Sequence, residues 1–157
     1  MATSRAAASN EPEHTTRTVV QRFIEAFTRR DPSAIPDLVA DDCVMEAMQP
    51  APDGERVEGY DANVRFWQAM VADSSGSFEV EDLTVCGELA INRWRFRFGD
   101  GRQNSVRGVT LIRVRGGTIA EALGYAKTPP RSALGQARWR TNRSHGRTTD
   151  CRGVGGV

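Results

Sequence analysis

The sequence predicts an α+β domain, and three observations carry that expectation. Apolar residues recur at helical spacing in the first half of the chain, whereas residues 77–127 alternate apolar and polar side chains. Glycine-bearing turn sequences at 99–101 and 115–117 join the alternating runs. Helices first and an antiparallel meander afterwards is the order of an α+β fold.

Residues 1–14 are small and polar without periodicity, and are expected to be disordered. Residues 15–31, TTRTVVQRFIEAFTRRD, offer a threonine N-cap followed by Val20, Phe23, Ile24 and Phe27 on one helical stripe. Asp31-Pro32 restarts the chain as a short second helix, which Pro36 keeps short or distorted. DDCVMEAM at 41–48 reads as a strand, and QPAPDGE after it as a loop. GYDANVRFWQAMV at 59–71 is a third amphipathic helix, with Val64, Trp67 and Val71 on one stripe. Four strands follow, at 77–87, 89–98, 104–114 and 118–127. Residues 129–157 lack an apolar pattern and are expected to form a flexible tail, leaving 15–128 as the folded domain.

At 157 residues and 39% hydrophobic, the chain suits one domain with one core. It has no run of the ~20 apolar residues that span a bilayer and no signal-peptide stretch, so a cytoplasmic location is expected. Cys43, Cys86 and Cys151 are odd in number and far apart, which fits free thiols rather than a metal site or disulfide framework. The two histidines, His14 and His145, lie in the terminal segments, so the folded part has no histidine to serve as acid, base or ligand. Nucleophile elbow, P-loop, dinucleotide and zinc-protease motifs are absent from the sequence, and no cofactor is expected. Residues 128–157 carry a balance of +5 and residues 1–127 a balance of −4. The basic tail with Trp139 could meet a nucleic acid, but the acidic body makes a solvated end the expectation.

VVQRFIEAFTRRDPSAIPDLVADDCVME, VEGYDANVRFW and RGVTLIRVRGGTIAEALGYAK together resemble the nuclear transport factor 2-like superfamily. Within it they resemble the branch of ketosteroid isomerases, limonene-epoxide hydrolases and SnoaL-like polyketide cyclases. The resemblance covers about residues 16–128. It implies a cone: a curved, mainly antiparallel sheet wrapped around three helices, enclosing a deep apolar pocket. It also implies a homodimer through the convex face of the sheet, and a small apolar molecule as pocket ligand.

The family's catalytic residues carry over poorly. The isomerase tyrosine falls on Phe23, its aspartate base on Ala47 and its oxyanion acid on Thr110. The epoxide-hydrolase relay keeps Arg93, but Arg95 and Gly124 stand for its aspartates, and Met45 and Ala47 for its tyrosine and asparagine. The cyclases' histidine has no counterpart in the core.

INRWRFRF at 91–98 sets an arginine comb (Arg93, Arg95, Arg97) against an aromatic comb (Trp94, Phe96, Phe98). The resemblance places Arg93 and Arg95 on the pocket face, opposite the small residues Ala120, Ala122, Gly124 and Ala126 of the last strand. The aromatic comb, Val109, Leu111 and Tyr125 would then form the dimer face. A one-residue register shift would exchange the faces and make the aromatics a core. Inward arginines need partners: Glu46, Glu58, Asp42, or an acidic ligand. Phe23, Met45, Ala47, Trp67, Ala122 and Gly124 would line the pocket. Trp67 offers an indole N–H or plain core packing, and Thr110 a hydroxyl for a ligand carbonyl or for the backbone. One functional reading is a binding domain that isomerises, cyclises or hydrates its ligand, with Arg93 stabilising an enolate. The other is a non-catalytic binding or dimerisation module.

Overall fold

The computed structural model of the protein describes residues 4–127. Helix α1 spans Ser4–Arg29. It starts well before the threonine pair and takes in residues 4–14, which were expected to be disordered. Ala6, Ala7 and Ala8 are strong helix formers, although Pro12 inside the helix forgoes one intrahelical bond. Val19, Val20, Phe23 and Ala26 form its buried stripe.

The expected second helix is two 3₁₀ turns, Pro32–Ala34 and Pro36–Leu38, each opened by a proline. Asp31 caps the first, accepting from Ser33 N at 3.0 Å. Strand β1 (Val39–Glu46) leads into β2 (Arg56–Glu58), a three-residue strand too short to show alternation in the sequence. Helix α2 (Tyr60–Ala72) buries Asn63, Trp67 and Val71. Strands β3 (Ser77–Cys86), β4 (Leu89–Arg97), β5 (Ser105–Arg115) and β6 (Thr118–Ala126) complete the chain. Gly116 and Gly117, with φ of 59° and 83°, make the β5–β6 turn, where two successive positive φ angles match the twist of the strands.

The six strands form one curved, unclosed sheet in the order β2-β1-β6-β5-β4-β3. All neighbours are antiparallel except β1 and β6. The helical segments pack against its concave side. There Ile35, Leu38, Ile112, Val114 and Ile119 join the α1 stripe in one core. Among the described residues no helix is long and apolar enough to cross a membrane. The expectations for residues 129–157, Trp139 and Cys151 included, lie outside the described residues.

Candidate ligand site inside the cone

The β4–β5 ladder is regular and decides which comb points inward. Asn92 pairs with Thr110, Trp94 with Gly108 and Phe96 with Val106, while Arg93 pairs with Val109. Thr110 in turn pairs with Gly124, and Ile112 with Ala122. The concave face therefore carries Asn92, Trp94, Phe96, Thr110, Ala122 and Gly124. The arginines share the convex face with Val109, Leu111 and Tyr125.

This overturns the inward placement of Arg93 and Arg95, and with it the aromatic comb as a dimer face. Arg93 has a half-exposed side chain (55%) 3.3 Å from Asp82. Arg95 lies 3.2 Å from Glu81 and donates to Ser105 Oγ at 2.9 Å, and Arg97 donates to Glu79 at 2.7 Å. The expected partners are engaged elsewhere: Glu46 and Glu58 with Arg56, Asp42 with Arg115. Energetics explain the choice of face. Burying each large aromatic gains about 1.5–3 kcal/mol, whereas taking a guanidinium out of water costs several kcal/mol.

Trp94 is 4% exposed, and the Cζ2–Cη2 side of its indole lies against Gly108. A Cβ at Gly108 would overlap the indole ring, so the glycine is what lets the ring lie against the sheet. In that pose Trp94 Nε1 reaches diagonally to Thr110 and donates to its Oγ1 at 2.9 Å. A row of rings crosses the interior from α2 to the sheet. Trp67 meets Phe23 at 5.0 Å, Phe23 meets Phe27 at 5.0 Å, and Phe27 meets Phe78 at 5.4 Å. Phe78 then meets Trp94 at 5.5 Å and Phe96 at 4.7 Å, with edge-to-face or tilted geometry throughout.

Phe23, Met45, Trp67 and Ala122 are buried in this interior and belong to the core cluster. Ala47 is half-buried against the core, and its N–H donates to Glu55 O at 2.8 Å. Gly124 faces inward, and a Cβ there would come within 3.3 Å of Glu46 O and 3.4 Å of Met48 N on the neighbouring main chain. The deep cavity expected from the resemblance is not lined by these residues, which border neither of two small hollows. Two hollows among the described residues measure about 90 and 100 Å³. The larger lies by Phe27, Met70 and Phe78, where the row of rings reaches the surface. Ligand clefts usually offer about 300–1,000 Å³, and both hollows fall well below that.

Asn92 is the residue the sequence reading missed. It is 7% exposed, and its Oδ1 has no hydrogen-bond partner. Asparagine is disfavoured in strands, so one on the aromatic face of an alternating run was the available signal.

The buried ionisable side chain on β1 is Cys43, wholly inaccessible to solvent. Burial, and secondarily the charge of Asp42, pushes its thiol up to about 12. An unfolded thiol ionises near ~8.5, so above that pH the unfolded state loses a proton that the native state keeps. Stability from this group is complete below about pH 8.5 and falls by up to about 1.4 kcal/mol per pH unit above it. Denaturant titrations from neutral to alkaline pH should show this slope in wild type and not in Cys43→Ala. Among the described residues no three His, Cys, Asp or Glu side chains cluster as metal ligands.

A curved sheet folded over an N-terminal helix, a pair of 3₁₀ turns and α2, with an aromatic interior, is the cone of nuclear transport factor 2-like proteins. More narrowly, residues 20–122 match the SnoaL-like domain, and the chain belongs to that family. It is similar to a nuclear transport factor 2-like protein of unknown function from Mesorhizobium loti. The two are 42% identical over 75% of this chain and 95% of that one, with a TM-score of 0.71. A candidate polyketide cyclase from Sinorhizobium meliloti is 25% identical over 68% of this chain and 93% of its own, with a TM-score of 0.56. A candidate ketosteroid isomerase from Kribbella flavida shares the fold at 21% identity over 75% and 84% of the chains, with a TM-score of 0.61. No curated protein matches the chain.

Proposed function

We propose that this chain is a non-catalytic SnoaL-like module that holds a small, neutral, apolar molecule in its cone and pairs with a second copy through the convex face. With Arg30 and Asp73 confined to the rim at the hollow of about 100 Å³, the observation that carries the first part is the neutrality of the sheet's concave face. The polar groups that meet there are Asn92, Thr110 and the Trp94 indole N–H, and none of them exchanges a proton near neutral pH. Acid–base catalysis needs a group that ionises near the working pH. Arg93, the candidate stabiliser of an enolate, is on the opposite face beside Asp82. The isomerase and cyclase chemistries named for two structural neighbours are therefore not carried over, since a fold does not fix a function.

The second part rests on the convex face. Ile91, Val109, Leu111 and Leu123 form a partly exposed apolar band next to Tyr125, which is 53% exposed. Ion pairs such as Arg93–Asp82 and Arg113–Glu121 flank it. An apolar centre with a polar rim is the composition of a protein interface.

Two measurements test the reading. Neutral apolar compounds should bind and be recovered unchanged by mass spectrometry; a chemically altered product would refute the non-catalytic assignment. In sedimentation at micromolar concentration, wild type should run as a dimer and Leu111→Glu as a monomer with an unchanged far-UV spectrum. A monomeric wild type would remove the assembly half of the proposal.

A further inference from the structure

We infer that Asn92 and Thr110 form a hydroxyl-recognising pair, and that the ligand held in the cone is a neutral apolar molecule bearing an alcohol or phenol. This rests on the binding reading above and narrows it to a chemical class. Four observations converge. Asn92 Oδ1 is buried on the concave face and accepts no hydrogen bond, although a buried acceptor normally finds a donor. Thr110 stands directly opposite on the neighbouring strand, close enough for one small group to touch both side chains. Thr110 Oγ1 already accepts from Trp94 Nε1, so its own proton remains to be given. Phe78 packs edge-on against Trp94, the donor to Thr110, and also lines the hollow of about 100 Å³.

Such a pair selects by hydrogen-bonding sense. A hydroxyl donates to Asn92 and accepts from Thr110 at once. A ketone or ether only accepts and leaves Asn92 Oδ1 unpartnered. A carboxylate brings a charge to a pair with no cation beside it: Arg93 and Arg95 point the other way, beside Asp82 and Glu81, and Arg30 at the hollow donates to the carbonyls of Asp73 and Gly76.

Calorimetry and thermal shift with phenol, toluene and benzoate at neutral pH test this, using wild type, Asn92→Leu and Thr110→Val. The three probes have nearly the same shape, and phenol is uncharged at that pH. Phenol should bind wild type about tenfold tighter than toluene. Benzoate should leave the melt unmoved. In Asn92→Leu the free protein should melt above wild type, because an orphaned acceptor has gone, and the preference for phenol should vanish. Thr110→Val should lose the preference as well. Equal binding of toluene and phenol overturns the hydroxyl assignment and leaves the apolar-binding reading standing. Tighter binding of benzoate overturns the assignment, as does a phenol preference that survives in Asn92→Leu. Failure of both phenol and toluene to bind overturns the two readings together. A monomeric wild type or an altered product would fell the preceding proposal without touching the phenol–toluene contrast.

Discussion

Trp94→Ala is expected to lower the free energy of unfolding by about 3–5 kcal/mol, while Arg93→Ala, one position away, changes it by less than about 1 kcal/mol. The indole is buried over Gly108, touches Phe78, and donates to Thr110, so truncation opens a cavity and removes that donor. The guanidinium is half in solvent, and its pairing with Asp82 is screened there. Urea denaturation of the two variants beside wild type reads the difference directly. A costly Arg93→Ala with a mild Trp94→Ala would mean that the faces of β4 are exchanged and the interior described above is wrong.

Asn63→Leu should cost about 1–2 kcal/mol, a loss that comes from backbone carbonyls rather than from packing. Asn63 is fully buried on α2, and its Nδ2 lies 2.9 Å from Cys43 O, 3.2 Å from Val57 O and 2.8 Å from Gly59 O. One amide thus joins β1, β2 and the start of α2. Two of those carbonyls keep a second donor, Gly59 N for Cys43 O and Asn63 N for Gly59 O, which holds the cost to the lower part of the range for orphaned groups. Hydrogen exchange should show the Gly59 and Asn63 amides opening faster in the variant. An Asn63→Leu protein as stable as wild type would show that the joint is held without the amide.

The elements were largely legible in the sequence, and the faces were not. The four strands of the meander and helix α2 stand within one or two residues of their expected places, because alternation, helical spacing and glycine turns are local signals. Strand β2 was missed because three residues carry no period. The start of α1 was missed because the threonine pair reads as a cap, whereas Thr16 is buried within the helix. Choosing the inward comb needs long-range information, since alternation gives two faces and no sign. That information was present in the β3–β4 hairpin. Glu79 pairs with Arg95, and Asp82 with Arg93, across a tight turn at Gly87-Glu88. Acids on the neighbouring strand mark the arginine face as the wet one. Gly108, a lone glycine in an apolar strand, likewise marked where a large ring lies against the backbone. The candidate site was legible in part. Thr110, Trp67, Phe23 and Met45 face the interior, the last three as members of the packed core. Asn92 was overlooked, although it stands within the same short stretch as both combs.

The strand order leaves β3 at the end of the sheet, with β4 as its one neighbour over ten residues. Such a border is a template on which another chain could extend the ladder, and a long one invites polymerisation. Here the border strand carries Glu79, Glu81 and Asp82, a row of fixed charge that an identical strand would have to approach head-on. Hydrogen bonds from Arg97 and Arg107 hold Glu79 and Glu81 ionised below the usual carboxylate range. Arg97 of the comb and Arg107 of β5 thus keep the acidic fence along the sheet's margin charged as the solution turns sour.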